Sequence, residues 1–294
     1  MARPVATDSS HPRGRRARAT RTLARALLPL SGIAVLVLLW DVALRAAGGP
    51  SQLLPRPLAV VLAIAELAQK GFLVKHVVAS LFRVTWGYVA AVLLGIPLGI
   101  VLGWYRRGGM ALAPLLEILR PISPLAWIPL AILWFGVGDI SAVFIIFLAS
   151  LFPLTLTAMN AVRGVELVHV NAGRNFGLRA PELLRRVIYP AILPQLLVGL
   201  RLSLGIAWLV VVAAEMIAVS SGLGFLIIDA RNAGNRYDLV VAGMVLIGVI
   251  GIALDAMMRS LERSKALAWG YTAAFEADES RIDRKAAAGA AVVP

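Results

Sequence analysis

VTWGYVAAVLLGIPLGIVLGWY, residues 84–105, carries no charged side chain, and Arg106 and Arg107 close it. A helix needs about 20 predominantly apolar residues to cross the hydrocarbon core of a bilayer. The run therefore reads as a membrane span rather than the core helix of a soluble domain. Gly87, Ala91, Gly95, Gly99 and Gly103 recur within it every fourth residue. That spacing lines small side chains along one face and lets a second backbone approach closely. Packing inside one subunit is the expectation, with a seam to a second copy as the alternative.

Of the 294 residues, 60% are hydrophobic and only 15% are charged, against about a quarter charged in a soluble domain. An ordinary soluble enzyme, a fibrous protein and a disordered chain are excluded. Outward from residues 84–105, five further spans are expected: Ala26–Leu44, Pro121–Gly138, Ile140–Val162, Ala191–Val219 and Leu239–Met258. The expected fold class is all-α, a polytopic membrane protein with six transmembrane helices. Pro121, Pro124 and Pro129 predict an irregular start to the third span. Residues 1–25 hold seven arginines and little apolar pattern, and read as a disordered basic arm. The apolar run after it reads as an uncleaved signal-anchor helix. A cleaved signal peptide, with the small residues Ala46 and Ala47 behind the run, is the alternative. Residues 58–70 read as an amphipathic helix near the membrane surface.

Lys and Arg number 29 against 16 Asp and Glu, a net charge of +13. On six spans, 21 of those basic residues fall on the side of the two termini and seven on the other, with Arg201 inside a span. The positive-inside rule then sets both termini in the cytoplasm, and the charge reads as topology and anionic headgroups rather than nucleic acid. There is no cysteine, which excludes disulfides, thiol nucleophiles and thiolate metal sites. His11, His76 and His169 lie in different segments, so no metal site is expected. The four lysines precede Gly71, His76, Ala266 and Ala286, and none can be the lysine of a Gly-x-x-x-x-Gly-Lys-Ser/Thr phosphate loop. No serine-hydrolase elbow or His-Glu-x-x-His occurs, so no catalytic residue is expected.

Residues 163–190 are long for a connection between two spans and hold five arginines. A short helix is predicted over Glu166–Phe176, a turn at Gly177, and a second helix from Pro181, where a first turn tolerates proline. Asn171-Ala172-Gly173, Gly177, Val187, Tyr189 and Pro190 follow a spacing of three residues before the glycine and nine after it. This resembles the cytoplasmic Glu-Ala-Ala…Gly…Ile-x-Leu-Pro signature of inner-membrane permease subunits of bacterial ABC importers, with Asn171 in place of the usual acid. The wider text from Gly173 to Ala218, GLGFLI (Gly222–Ile227) and LERSKALAW (Leu261–Trp269) resemble the branch for aliphatic sulfonates, taurine and nitrate.

The resemblance implies that Asn171, Ala172, Gly173, Arg174, Gly177 and Pro190 belong to a coupling helix between the fourth and fifth spans. It would dock into a separate ATP-binding subunit, which would bind the ATP and Mg, while this chain carries no cofactor. An extracytoplasmic substrate-binding protein and a second copy of the chain are the other implied partners, in the bacterial plasma membrane. The division expected is a basic arm (1–25), a first span with its surface helix (26–74), a permease core (75–262) and a cytoplasmic tail (263–294). The implied cargo is a small anion, an aliphatic sulfonate or taurine ahead of nitrate, bicarbonate or a thiamine precursor, moved by alternating access.

Arg201, Trp208 and Glu215 are spaced seven and seven apart, close to one helical stripe, and are candidates for the pathway. Ionisable groups at membrane depth face protein or water and are functional candidates by default. Arg201 either attracts an anion or snorkels to the membrane surface, Glu215 fits a gate or a helix–helix pair, and Trp208 fits packing. An ion-gradient-driven secondary transporter is the alternative function. It needs a coupling-ion acid near the midplane and internal repeats; only Glu215 fits the first, and no repeated half is seen.

Overall fold

The run 84–105 lies in one long helix, α3 (Phe72–Trp104). The structure, a computed structural model, describes residues 31–32, 34–46 and 54–262, and every regular element among them is helical. The expected arm (1–25) and tail (263–294) lie outside the described residues, as does the start of the expected first span (Ala26–Leu44); the helix at 34–46, labelled α1, takes in the rest of that span and runs two residues beyond it. At 1.5 Å per residue the 33 residues of α3 reach about 50 Å, more than a hydrocarbon core requires. It starts at Phe72 rather than Val84, and Arg83, one of the seven basic residues counted outside the spans on the side away from the termini, is buried inside it.

The small-residue stripe of α3 seats α6 (Asp139–Arg163). A Cβ added to Gly87 would stand 2.8 Å from the Ile146 Cβ and the Val143 carbonyl oxygen, and one on Gly103 2.7 Å from the Val162 Cβ. Residue numbers rise together along the contact, so α3 and α6 run parallel. The stripe is an intrasubunit seam.

A chain returning between two parallel spans has to cross back, and it does so through a break. The expected third span, Pro121–Gly138, is not one helix. α4 (Arg106–Leu119) ends before it, a 3₁₀ turn follows at Pro124–Trp127, and α5 (Ile128–Phe135) has only eight residues. The two arms meet at 86°. Pro121, Pro124 and Pro129 lack N–H groups and suit helix starts better than interiors; Pro124 and Pro129 stand in the first turns of the 3₁₀ segment and α5, and the Ser123 hydroxyl takes the Leu125 N–H at 3.3 Å.

α7 (Leu167–Asn175) and α8 (Ala180–Leu183) form an elbow after α6. A π turn at Leu184–Ile188 joins α8 to α9 (Tyr189–Ala218). α10 (Leu223–Gly234), which falls between the expected fifth and sixth spans, is a helix, and α11 (Tyr237–Glu262) closes the core. α2 (Pro57–Gln69) matches the expected surface helix in extent and packs Val60 and Ala63 on Ala242 of α11. Among the described residues four helices are long and apolar enough to cross a membrane, five if the bent pair is counted as one span.

The main core gathers Val84, Ile145, Ile146, Val211, Ala214 and Leu223 from α3, α6, α9 and α10. A second cluster joins Ala158 and Val162 to Val170, Leu183, Ile188 and Ile192. It clamps the elbow against the ends of α6 and α9. Side chains such as Leu93, Leu133, Leu209 and Ile252 remain exposed on the outside of the bundle, as a lipid solvent permits.

Candidate functional site

The elbow is built from its glycines. The N–H of Leu178 donates to the Gly173 carbonyl at 3.1 Å, and that of Gly177 to the Arg174 carbonyl at 2.9 Å. This pair of bonds is a Schellman cap, which requires a left-handed residue at its turn. Gly177 supplies it with φ +78°, and a Cβ there would meet open space. Gly173 has the opposite constraint: its missing Cβ makes room for the Leu183 side chain, 2.5 Å from where that atom would stand. Asn171, Ala172 and Arg174 are exposed on α7, and so are the large apolar side chains of Leu167, Val168 and Phe176, the last 87% exposed.

Pro190 stands half-buried at the start of α9. Its ring would meet the carbonyl four residues back in an α-helix. The preceding turn is wider instead, with the Tyr189 N–H bonded to the Leu184 carbonyl five residues back. The proline thus accounts for the π turn where elbow becomes span.

At the other end of the bundle lies a buried ionic network. Glu215 on α9 is fully buried and accepts from Arg83 Nη1 at 2.7 Å, Ser80 Oγ at 2.8 Å and the Gly224 N–H at 3.0 Å. Arg83, 2% exposed, also reaches Asp139 at 2.7 Å and the Ser221 carbonyl and hydroxyl at 2.8 and 2.6 Å. The Ser80 hydroxyl takes the Leu223 N–H at 2.9 Å, and His76 Nδ1 takes that of Gly222 at 3.1 Å. Three free N–H groups at the start of α10 are thereby satisfied by three side chains, one of them a carboxylate at the positive end of the helix. Gly222 has φ +108°, and a Cβ on it would run into the Glu215 carboxylate.

The three pathway candidates do not share one site. Arg201 Nε donates to Asp255 of α11 at 2.6 Å and lies 3.5 Å from Glu262. Trp208 Nε1 donates to the Ile247 carbonyl of α11 at 3.1 Å. Glu215 belongs to the α3–α10 network. Sequence reasoning missed His76, Ser80 and Arg83, although their spacing of four and three puts them on one face of a helix. A lone buried acid in the fifth span was the signal that a cation had to lie on a neighbouring span. No cluster of three His, Cys, Asp or Glu able to hold a metal occurs among the described residues.

Residues 95–266 match the model of the family described as binding-protein-dependent transport system inner membrane component. The taurine transport system permease protein TauC of Escherichia coli is 39% identical over 191 residues, 64% of this chain and 68% of TauC. The bicarbonate transport system permease protein CmpB of Synechococcus elongatus is 32% identical over 249 residues, 81% of this chain and 88% of CmpB. Among solved structures, the MetNI methionine ABC transporter in an inward-facing crystal form aligns with a TM-score of 0.53 at 20% identity, covering 65% of this chain and 97% of that one. That likeness is one of fold. The matched residues take in the elbow, Glu215 with α10, and α11 together, and the chain belongs to the binding-protein-dependent inner-membrane permeases of ABC importers.

Proposed function

We propose that the chain forms, with a second copy of itself, the membrane path of an importer for a small anionic solute, with an aliphatic sulfonate or taurine as the favoured cargo. Two ATP-binding subunits hold the ATP and Mg, and an extracytoplasmic binding protein delivers the solute. Both termini lie in the cytoplasm. The α7–α8 elbow is the coupling helix, and Asn171, Ala172, Gly173, Arg174, Gly177 and Pro190 build it.

The observation that carries this reading is the elbow itself. It combines a rigid glycine cap, exposed apolar side chains at Leu167, Val168 and Phe176, and a clamp onto the ends of α6 and α9. A displacement of α7 would reach both spans through Leu183, Ile188 and Ile192. Asn171 gives the elbow a neutral amide where the signature it resembles has an acid, so docking here rests on shape and apolar contact. An ion-gradient mechanism is not favoured, because Glu215 already accepts from Arg83, Ser80 and Gly224.

Vesicles reconstituted with the chain, its ATPase and its binding protein test the reading. Taurine or methanesulfonate uptake is expected to require ATP, and the chain alone is expected to hydrolyse none. Accumulation by the chain alone on a proton or sodium gradient, without nucleotide, would overturn it.

A further inference from the structure

A cavity of about 420 Å³ lies where the break between α4 and α5 faces the middle of α6 and α9. Arg120 enters it from the break, Thr157 and Asn160 from α6 and Ser203 from α9, while Phe152 and Leu202 supply apolar wall. Its size falls within the range of small-molecule sites.

Three observations set this cavity apart from ordinary packing. Arg120 takes part in no salt bridge among the described residues, a state it shares with several surface arginines, but it is the one arginine that lines this cavity. Ser203 is 1% exposed and its hydroxyl has no hydrogen-bond partner; a buried, unpaired polar group is costly. The backbone is interrupted at residues 120–123, so the wall of the cavity there is non-helical and leaves space that a continuous helix would fill. All three converge on one place. A ligand that brought several acceptor oxygens would satisfy the guanidinium and the hydroxyl together.

We propose that this cavity is a station for the transported solute, and that the solute it takes is a small oxyanion. The planar fork of Arg120 matches two oxygens of a sulfonate or a bicarbonate. The hydroxyls of Ser203 and Thr157 and the Asn160 amide are placed to take the rest, Ser203 by rotation about its Cα–Cβ bond. Phe152 and Leu202 flank the uncharged part. The pathway charge is thus Arg120, at a helix break, and not Arg201, which Asp255 neutralises. The proposal rests on the permease reading given above.

The test uses the full-length chain in phosphatidylcholine nanodiscs, titrated by calorimetry with methanesulfonate, bicarbonate and dimethyl sulfone, a neutral isostere of methanesulfonate. Wild type is expected to bind at least one of the two anions in the millimolar range or tighter, and dimethyl sulfone at least about tenfold more weakly, since a charge-assisted pair is lost. Arg120→Ala is expected to weaken anion binding at least about tenfold, Arg120→Lys less, and Ser203→Ala a few-fold. Arg120→Lys keeps the charge, so it serves if Arg120→Ala does not fold.

Equal binding by wild type and Arg120→Ala, equal binding of the neutral isostere, or no binding of either anion by wild type would each overturn the proposal. So would retention of added phosphatidylglycerol that Arg120→Ala abolishes while neither anion binds, which would assign the guanidinium to a lipid headgroup. The permease reading fails separately, through ATP-independent uptake by the wild-type chain. ATP-driven uptake that Arg120→Ala leaves unchanged would remove the station and keep the permease.

Discussion

Arg83→Ala would leave the buried Glu215 carboxylate without its cation. Breaking one side of a buried ion pair costs about 3–5 kcal/mol, so the variant is expected to unfold at clearly lower temperature or denaturant than wild type. Because Glu215 also holds the Gly224 N–H and Ser80, Arg83→Met combined with Glu215→Leu should be less damaging than the two single changes added together. Thermal unfolding in detergent measures both, and strict additivity would deny the coupling. Arg201 is a different case. Its pair with Asp255 is about one-third exposed on each side, and such pairs contribute about 1 kcal/mol or less. Arg201→Ala should therefore leave the fold nearly unchanged. A large loss of uptake with unchanged stability would return Arg201 to the pathway.

The elbow separates two roles of glycine at the scale of an element. Gly177 is needed for its left-handed φ in open space, so Gly177→Val should strain the cap by about 1–2 kcal/mol and abolish uptake while the protein still inserts. Gly177→Asn should retain much of the transport, because asparagine adopts that conformation at lower cost. Normal uptake by Gly177→Val would refute the assignment of the cap. Gly173→Val should fail for lack of space against Leu183, whatever its backbone. At the opposite end, α2 is tied to the α10–α11 junction by Glu66 and Arg236 at 2.7 Å. Hydrogen bonds from Arg236 and then Lys70 hold the Glu66 carboxyl down to about 2 from its ordinary 4.5. A depressed acid stabilises the fold above its unfolded value and loses that contribution as pH falls through the folded one. Hydrogen exchange in α2 should thus be indifferent between pH 5 and 8 and quicken, relative to the intrinsic rate, only as pH falls from about 4.5 towards 2. Loosening at pH 6 would contradict the pairing.

For the whole molecule, the lack of cysteine makes topology directly measurable. In intact cells Asn235→Cys should react with a membrane-impermeant thiol reagent, and Asn171→Cys only after the membrane is opened. The reverse pattern would invert the orientation argued from the basic residues. Arg83, buried within α3, leaves the outer tally at six, and Arg120, which lines the cavity, leaves the inner one at 20, so the asymmetry stands.

Much of the architecture was legible in the linear text because a bilayer imposes its demands locally. Runs such as 84–105 and 140–162 announce helices by length and lack of charge, the four-residue small stripe announces a close neighbour, and the Gly177-to-Pro190 spacing marks the elbow. What sequence could not settle depends on which elements meet. Arg83 reads as a charge outside the spans until α9 brings Glu215 to it. Residues 121–138 read as one apolar span until the chain, with prolines at new helix starts, bends between parallel neighbours. Residues 223–234 fall between expected spans until His76, Ser80 and Glu215 cap them as a helix. Hydropathy is a property of a segment and survives unfolding; the pairing of a buried charge, the capping of a helix by distant side chains and the space left by a break exist only once the segments have packed.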